Sequence, residues 1–204
     1  FAYNSGASNI LSAAVRNLSG SRSTYLARPT ELLFRPLGMK SAVIETDPEG
    51  YFIASSFMHA TARDWAKIGQ LYLQDGVWEG QRLLPEGWVD YTSSPDESDP
   101  DGIYGAHWWL DLPGDRDDEG NPRNGIAELP DDAFFALGHD GQSLSVIPSK
   151  ELVIVRLGVT RKREAFNLRN FVSDISNLFP DTPTASQNSP DGEDIQDATG
   201  PSTD

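Results

Sequence analysis

The chain has 204 residues, 38% of them hydrophobic, with five Trp, nine Phe and six Tyr, which is bulk enough for the core of one domain. A formal net charge of −15 and a pI near 4.4 oppose binding to phosphate backbones and anionic membranes, so a nucleic-acid partner is disfavoured. Mean hydropathy is −0.44 with no long apolar run, which excludes a membrane span in this sequence, and the lack of cysteine removes disulfides, thiolate catalysis and cysteine-ligated metal.

The opening "FAYNSGASNILSAAVRNLSG" carries the first helix signal. Ser5 reads as its N-cap, Ala7, Ile10, Leu11, Ala14, Val15 and Leu18 recur at helical spacing, and "SGS" ends it. A second helical stretch around Tyr25–Phe34 is broken by Pro36 and Gly38, and residues 41–60 read as irregular with "DPEG" as a turn. The clearest helix follows. Thr61 caps it, Asp64 stands third to receive the amide, Trp65, Ile68, Gly69 and Tyr72 share a face, and Gly76 stops it. "VWEGQRLLP" reads as a short turn, and Pro85 opens a further helix, "PEGWVDYTS".

Beyond the acidic segment "SSPDESDPDG" the periodicity changes. "IYGAHWWLDL" is aromatic and suits a strand, and a second acidic segment, "PGDRDDEGNPRNG", follows it. "AFFALGHDGQSLSVIPSKELVIVRLGV" divides into strands at 133–137, 143–147 and 152–158, joined by "GHDGQ" and "PSKE". The run "ELVIVRLG" suits a strand covered on both faces. A last helix over Arg163–Phe179 buries Ala165, Leu168, Val172, Ile175 and Phe179, and Pro180 ends it. From about Asp181 the chain has no Lys or Arg and little bulky apolar side chain, so burial cannot offset its ordering entropy. The expected organisation is one α+β domain over 1–180, an antiparallel sheet flanked by helices, and a disordered acidic tail over 181–204.

Three familiar catalytic patterns are missing: the phosphate loop G-x-x-x-x-G-K-[ST], the G-x-S-x-G elbow and the zinc helix H-E-x-x-H. His59 is expected to cap or pack at the approach to the Thr61 helix, and His107 to be a hydrogen-bonded core histidine inside the aromatic strand. His139 lies between Gly138 and Asp140-Gly141, where glycines let a strand end open towards a ligand. Taken alone, a tight turn with an incidental histidine is the slightly better account of it.

The order of segments adds to this. A Tyr-x-[Ser/Asn] triplet at Tyr3, a long helical stretch, and [Lys/His]-x-Gly before two strands and a closing helix resemble the serine β-lactamase and penicillin-binding-protein superfamily. Within it the likeness is to class C β-lactamase-like esterases, D-amino-acid peptidases and 6-aminohexanoate-dimer hydrolase-type amidases. "LFRPLGM", "TARDWAKIGQLYLQDGVWEGQRLLPEGWV", "YGAHWWL" and "ALGHDGQSLSVIPSKELVIVRLG" stand in the family's order. The resemblance implies that Tyr3 shares the general-base role with a lysine, since a phenol needs a close cation to act as phenolate near neutrality. It puts Ser5 where many relatives position substrate with Asn, and His139-Asp140-Gly141 in the place of Lys-[Thr/Ser]-Gly. An imidazole there is no permanent cation, which favours neutral esters or amides over penicillins. Gln142 or Ser143 is expected to donate the oxyanion-hole amide, with Gly141 beside them in the substrate site.

The family's first motif, Ser-x-x-Lys, is not in these residues. The four lysines, Lys40, Lys67, Lys150 and Lys162, have Leu37, Asp64, Ile147 and Val159 three positions earlier. The expectation is therefore a C-terminal portion of a serine hydrolase that acts through an acyl-enzyme on a small ester or amide, with its nucleophile upstream and no activity from this stretch alone. The alternatives are a β-lactamase or D-alanyl-D-alanine carboxypeptidase, and an inactive module that binds peptide or cell-wall fragments. No cofactor is expected, and the resemblance slightly favours a periplasmic or secreted setting.

Overall fold

The computed structural model describes residues 3–112, 127–161 and 166–182. Helix α1 (Ser5–Leu18) is capped by Asn4, whose Oδ1 accepts from the Ala7 amide at 3.0 Å, so Ser5 is the first helical residue and not the cap. Both residue types can cap; Asn4 holds the position because its backbone is the extended one. The apolar face of α1 is open, with Ile10 72% and Leu18 82% exposed. A three-way knot fastens the middle of the helix instead. The Tyr25 and Ser12 hydroxyls lie 2.6 Å apart, Ser12 donates to the Phe52 carbonyl, and the Phe52 amide donates to Tyr25.

Helix α2 (Arg22–Pro29) begins three residues before the expected start, capped by Ser21. Pro29 cannot donate the next helical bond, and the chain widens into a π turn over Thr30–Phe34 that closes with Arg35 donating to Thr30. The region expected to be irregular contains a two-residue antiparallel pair, β1 (Val43–Ile44) and β2 (Met58–His59), around the Asp47–Gly50 turn. His59 does not cap a helix. Its Nε2 lies 2.9 Å from Glu45 Oε1 on the surface, since Thr61 already fills the capping role.

Helix α3 (Ala62–Leu73) starts at the expected Thr61 cap, but Asp64 does not receive the Thr61 amide, which donates instead to Ser41 Oγ at 3.0 Å. Asp64 accepts from the Ser41 amide at 2.9 Å, the Ser41 hydroxyl at 2.6 Å and Lys67 Nζ at 2.8 Å. These donors, the Lys67 bond first and then those from Ser41, hold its carboxyl down at about 2. A hairpin of β3 (Val77–Trp78) and β4 (Gln81–Arg82) follows. Helix α4 (Trp88–Thr92) starts after Gly87, whose φ of 74° no helix can continue, and not at Pro85.

The main sheet is antiparallel in the order β5 (Phe134–Leu137), β6 (Ser143–Ile147) and β7 (Leu152–Arg156). β6 lies at its centre and is buried along its whole length, whereas β7 is only half-buried at four of five positions. The strand covered on both faces is thus β6, because the central position and not the length of the apolar run decides burial. Phe134, Leu144 and Val146 pack with Trp108 against Trp65, Ile68 and Tyr72. Phe135, Ile147 and Ile154 pack on the other side with Val172 of α5 (Leu168–Ser176). The sheet is therefore held between α3 and α5. α3 approaches it closely at Gly69, where a β-carbon would stand 2.6 Å from Val153 Cγ1. α5 is tied down by Arg169, buried and paired with Asp111.

Residues 113–126, with the whole of the second acidic segment, residues 162–165, where the last helix was expected to begin, and the tail from 183 lie outside the described residues. Asp181 and Thr182 do not belong to a free tail: Asp181 pairs with Lys150 at 2.8 Å and the Thr182 amide donates to Ser149. The described α+β arrangement, antiparallel strands with helices on both sides, is the expected fold class. Among the described residues no helix is long and apolar enough to cross a membrane.

Candidate active site

"IYGAHWWLDL" forms no extended strand. Tyr104 and Trp109 bridge to each other across a tight turn, in which the Gly105 amide donates to the Trp108 carbonyl at 2.8 Å. Trp109 alone joins the sheet, exchanging both backbone hydrogen bonds with Phe135 at 2.7 and 2.8 Å. The reason is Gly105: it rests on the end of α4 so closely that a β-carbon would stand 2.3 Å from the Thr92 carbonyl oxygen. His107 is consequently no core residue. It is exposed at the turn's tip with φ 70°.

This turn, α1, α4 and the end of β5 enclose a cleft of about 660 Å³. Tyr3 and Ser5 line it from the start of α1, Trp88 and Tyr91 from α4, and Leu137 from β5. The Tyr3 ring packs against both legs of the turn, 5.5 Å from Tyr104 in an edge-to-face contact and 5.0 Å from Trp109. Burial, and then the neighbouring Tyr3 phenol, push the Tyr104 hydroxyl up to about 12, so Tyr104 stays protonated across the working range. Asp96, also in the lining, is held below the usual carboxylate range by the Ser98 hydroxyl and amide, so it brings negative charge. The described lining has no Lys or Arg.

The other site residues expected from sequence stand elsewhere. His139, Gly141, Gln142 and Ser143 are outside the described lining, though the strand that leads to them enters it at Leu137. The His139 side chain is 89% exposed, with Nε2 3.3 Å from Asp140 Oδ1. The Gln142 amide points back at the His139 carbonyl at 3.3 Å, and the Gly138 amide donates to Gln142 at 2.7 Å, so the turn closes on itself. Arg156 braces it by donating to the Gly141 carbonyl at 2.7 Å and to the Thr160 hydroxyl at 2.6 Å. Ser143 Oγ is buried without a partner among the described residues. Trp88, Tyr91, His107 and Trp109 were not anticipated as site residues. The glycine interrupting the aromatic run at 104–109 was the available signal for the turn, though not for the cleft, because glycine weakens a strand and favours a turn.

A family model described as Beta-lactamase matches residues 1–172. The chain is 27% identical over 169 residues to the 6-aminohexanoate-dimer hydrolase of Paenarthrobacter ureafaciens, which is 77% of this chain and 38% of that protein. A solved structure described as a candidate 6-aminohexanoate-dimer hydrolase from Bacillus anthracis is similar at TM-score 0.63 and 25% identity, over 87% of this chain and 42% of that one. A beta-lactamase from Mycobacterium bovis shares the fold at TM-score 0.62 and 17% identity, over 86% of this chain and 63% of that one. The chain thus spans less than half the length of the 6-aminohexanoate-dimer hydrolases it matches.

Proposed function

Because this chain belongs to the beta-lactamase family, we propose that the whole protein is a serine hydrolase that cleaves a small ester or amide through an acyl-enzyme. The observation that carries the reading is the placement of Tyr3. The phenol stands at the head of α1, in a cleft beside Ser5, with its ring packed against two aromatic neighbours. Tyr3 is 61% exposed, so a substrate and a partner lysine can reach the phenol, while the two ring contacts orient it as a proton-transfer group requires. The nucleophilic serine and its lysine come from sequence outside these 204 residues, since no Ser-x-x-Lys occurs within them. Tyr3, with that lysine as the neighbouring cation, takes the serine proton as Oγ attacks the carbonyl carbon. The tetrahedral oxyanion collapses, the C–O or C–N bond breaks, and the leaving group departs with the proton. Water then repeats the attack on the acyl-serine and releases the acid. The turn at His139–Ser143 borders the substrate site in this reading, and of the two expected oxyanion donors the Gln142 amide would have to leave the His139 carbonyl to serve.

In this reading the cation at the cleft is the lysine committed to Tyr3, and the described lining adds a carboxylate and no Lys or Arg, which suits substrates without a carboxylate. This disfavours penicillins and D-alanyl-D-alanine peptides, for which slow nitrocefin turnover is the expected readout. The test is labelling of the full-length protein by a fluorophosphonate probe, together with p-nitrophenyl ester hydrolysis by the protein and its Tyr3→Phe variant. Tyr3→Phe should lower kcat by about 10²–10⁴. Absence of labelling, or undiminished turnover in the variant, would overturn the proposal.

A further inference from the structure

We infer that His107 is a specificity-determining residue whose imidazole hydrogen-bonds an uncharged polar group of the substrate, of the secondary-amide kind, away from the bond that is cleaved. Its catalytic readout rests on the hydrolase reading above. Three observations meet at this residue.

The first is its backbone. At φ 70° His107 occupies the left-handed region, where a β-carbon crowds the chain and glycine is at ease. The turn cannot relax to relieve this, since Gly105 is pressed on the Thr92 carbonyl and the Ala106 amide donates to that same oxygen at 3.1 Å. The second is the side chain. The imidazole is exposed and makes no hydrogen bond, ion pair or ring contact with the described residues. The left-handed backbone is what the tight turn asks of this position, as it is at five other described non-glycine residues, so the imidazole at the turn's tip, without a partner among the described residues, is what is left for a ligand.

The third is location. His107 lines the cleft at the tip of the turn whose two legs, Tyr104 and Trp109, pack against the Tyr3 ring. A group there meets the substrate next to the phenol. An imidazole offers both a donor and an acceptor, the complement of an amide's carbonyl and N–H. An anionic group would find Asp96 and no Lys or Arg in the described lining, so the favoured partner is neutral.

The experiment compares two substrates on the full-length protein: the p-nitrophenyl esters of N-acetylglycine and of pentanoic acid. Their acyl chains are equally long and differ in the amide. His107→Gly should lower the ratio of kcat/KM for the amide-bearing ester over the plain one by about tenfold, one lost hydrogen bond. The thermal midpoint should hold or rise by about 2 °C as strain is relieved. His107→Asn tolerates the same backbone and keeps a donor and an acceptor, so it should retain most of the ratio. A ratio within about twofold of the wild type, or a midpoint that falls by more than about 4 °C in both variants, overturns the inference. If the wild type cleaves neither ester, the hydrolase reading falls separately. Calorimetric titration with N-acetylglycine amide then decides: tenfold weaker binding by His107→Gly supports the inference, and equal or no binding by the two proteins refutes it.

Discussion

Asp64 gives the sharpest physical test of the scaffold that carries the cleft. Its side chain is 9% exposed and accepts from Ser41 and Lys67, which together lower its carboxyl from 3.8 to about 2. At 1.36 kcal/mol per unit this is worth about 2 kcal/mol of stability when the carboxyl is ionised in both folded and unfolded chains. The folded group is the stronger acid, so the contribution is complete above about pH 5 and is lost as pH falls through about 3 towards 2. Asp64→Asn should therefore cost about 2 kcal/mol near neutrality, about half of that near pH 3, and little near pH 2. Urea titrations of both proteins at each pH, followed by tryptophan fluorescence, measure the gap directly. A gap as wide at pH 3 as at neutrality would refute the electrostatic account, because loss of shape alone is indifferent to pH.

Two further predictions concern packing. Gly69→Ala should destabilise by about 1–2 kcal/mol, the overpacking cost against Val153 exceeding the gain in helix propensity of about 1 kcal/mol. Adding Val153→Ala should recover part of that loss, and a Gly69→Ala protein more resistant to urea than the parent would refute the close-approach argument. Tyr25→Phe leaves the Phe52 amide without its acceptor, at a cost of about 1–3 kcal/mol. A change under about 0.5 kcal/mol in the urea-derived stability would show that water replaces the hydroxyl freely.

The legible parts of the fold were those with two independent local signals. β6 was bounded correctly at both ends by the "GHDGQ" and "PSKE" turns together with its apolar content, and Thr61 with Asp64 fixed the start of α3. The aromatic stretch at 104–109 misled because strand propensity measures fit to a half-buried sheet, and a packing contact between Gly105 and Thr92 overrode it. The regular spacing of Ile10, Leu11, Val15 and Leu18 located a helix correctly but could not say that its apolar face would be open. For the site, the motif order singled out Tyr3 and Ser5, which share the cleft. Trp88, His107 and Trp109 were beyond reach because a cleft is assembled by tertiary folding from segments about a hundred positions apart, and no local pattern encodes that meeting.

The knot of Ser12, Tyr25 and the Phe52 backbone has a consequence for how this protein can change over time. Each of its members partners the others, and one of them is main chain, whose carbonyl no substitution removes and whose amide only proline would. Positions 12 and 25 are therefore free to vary only as a matched pair that still answers Phe52. Since α1 also carries Tyr3 at its head, a lineage that broke this pairing would lose the aim of its phenol before it lost the phenol itself.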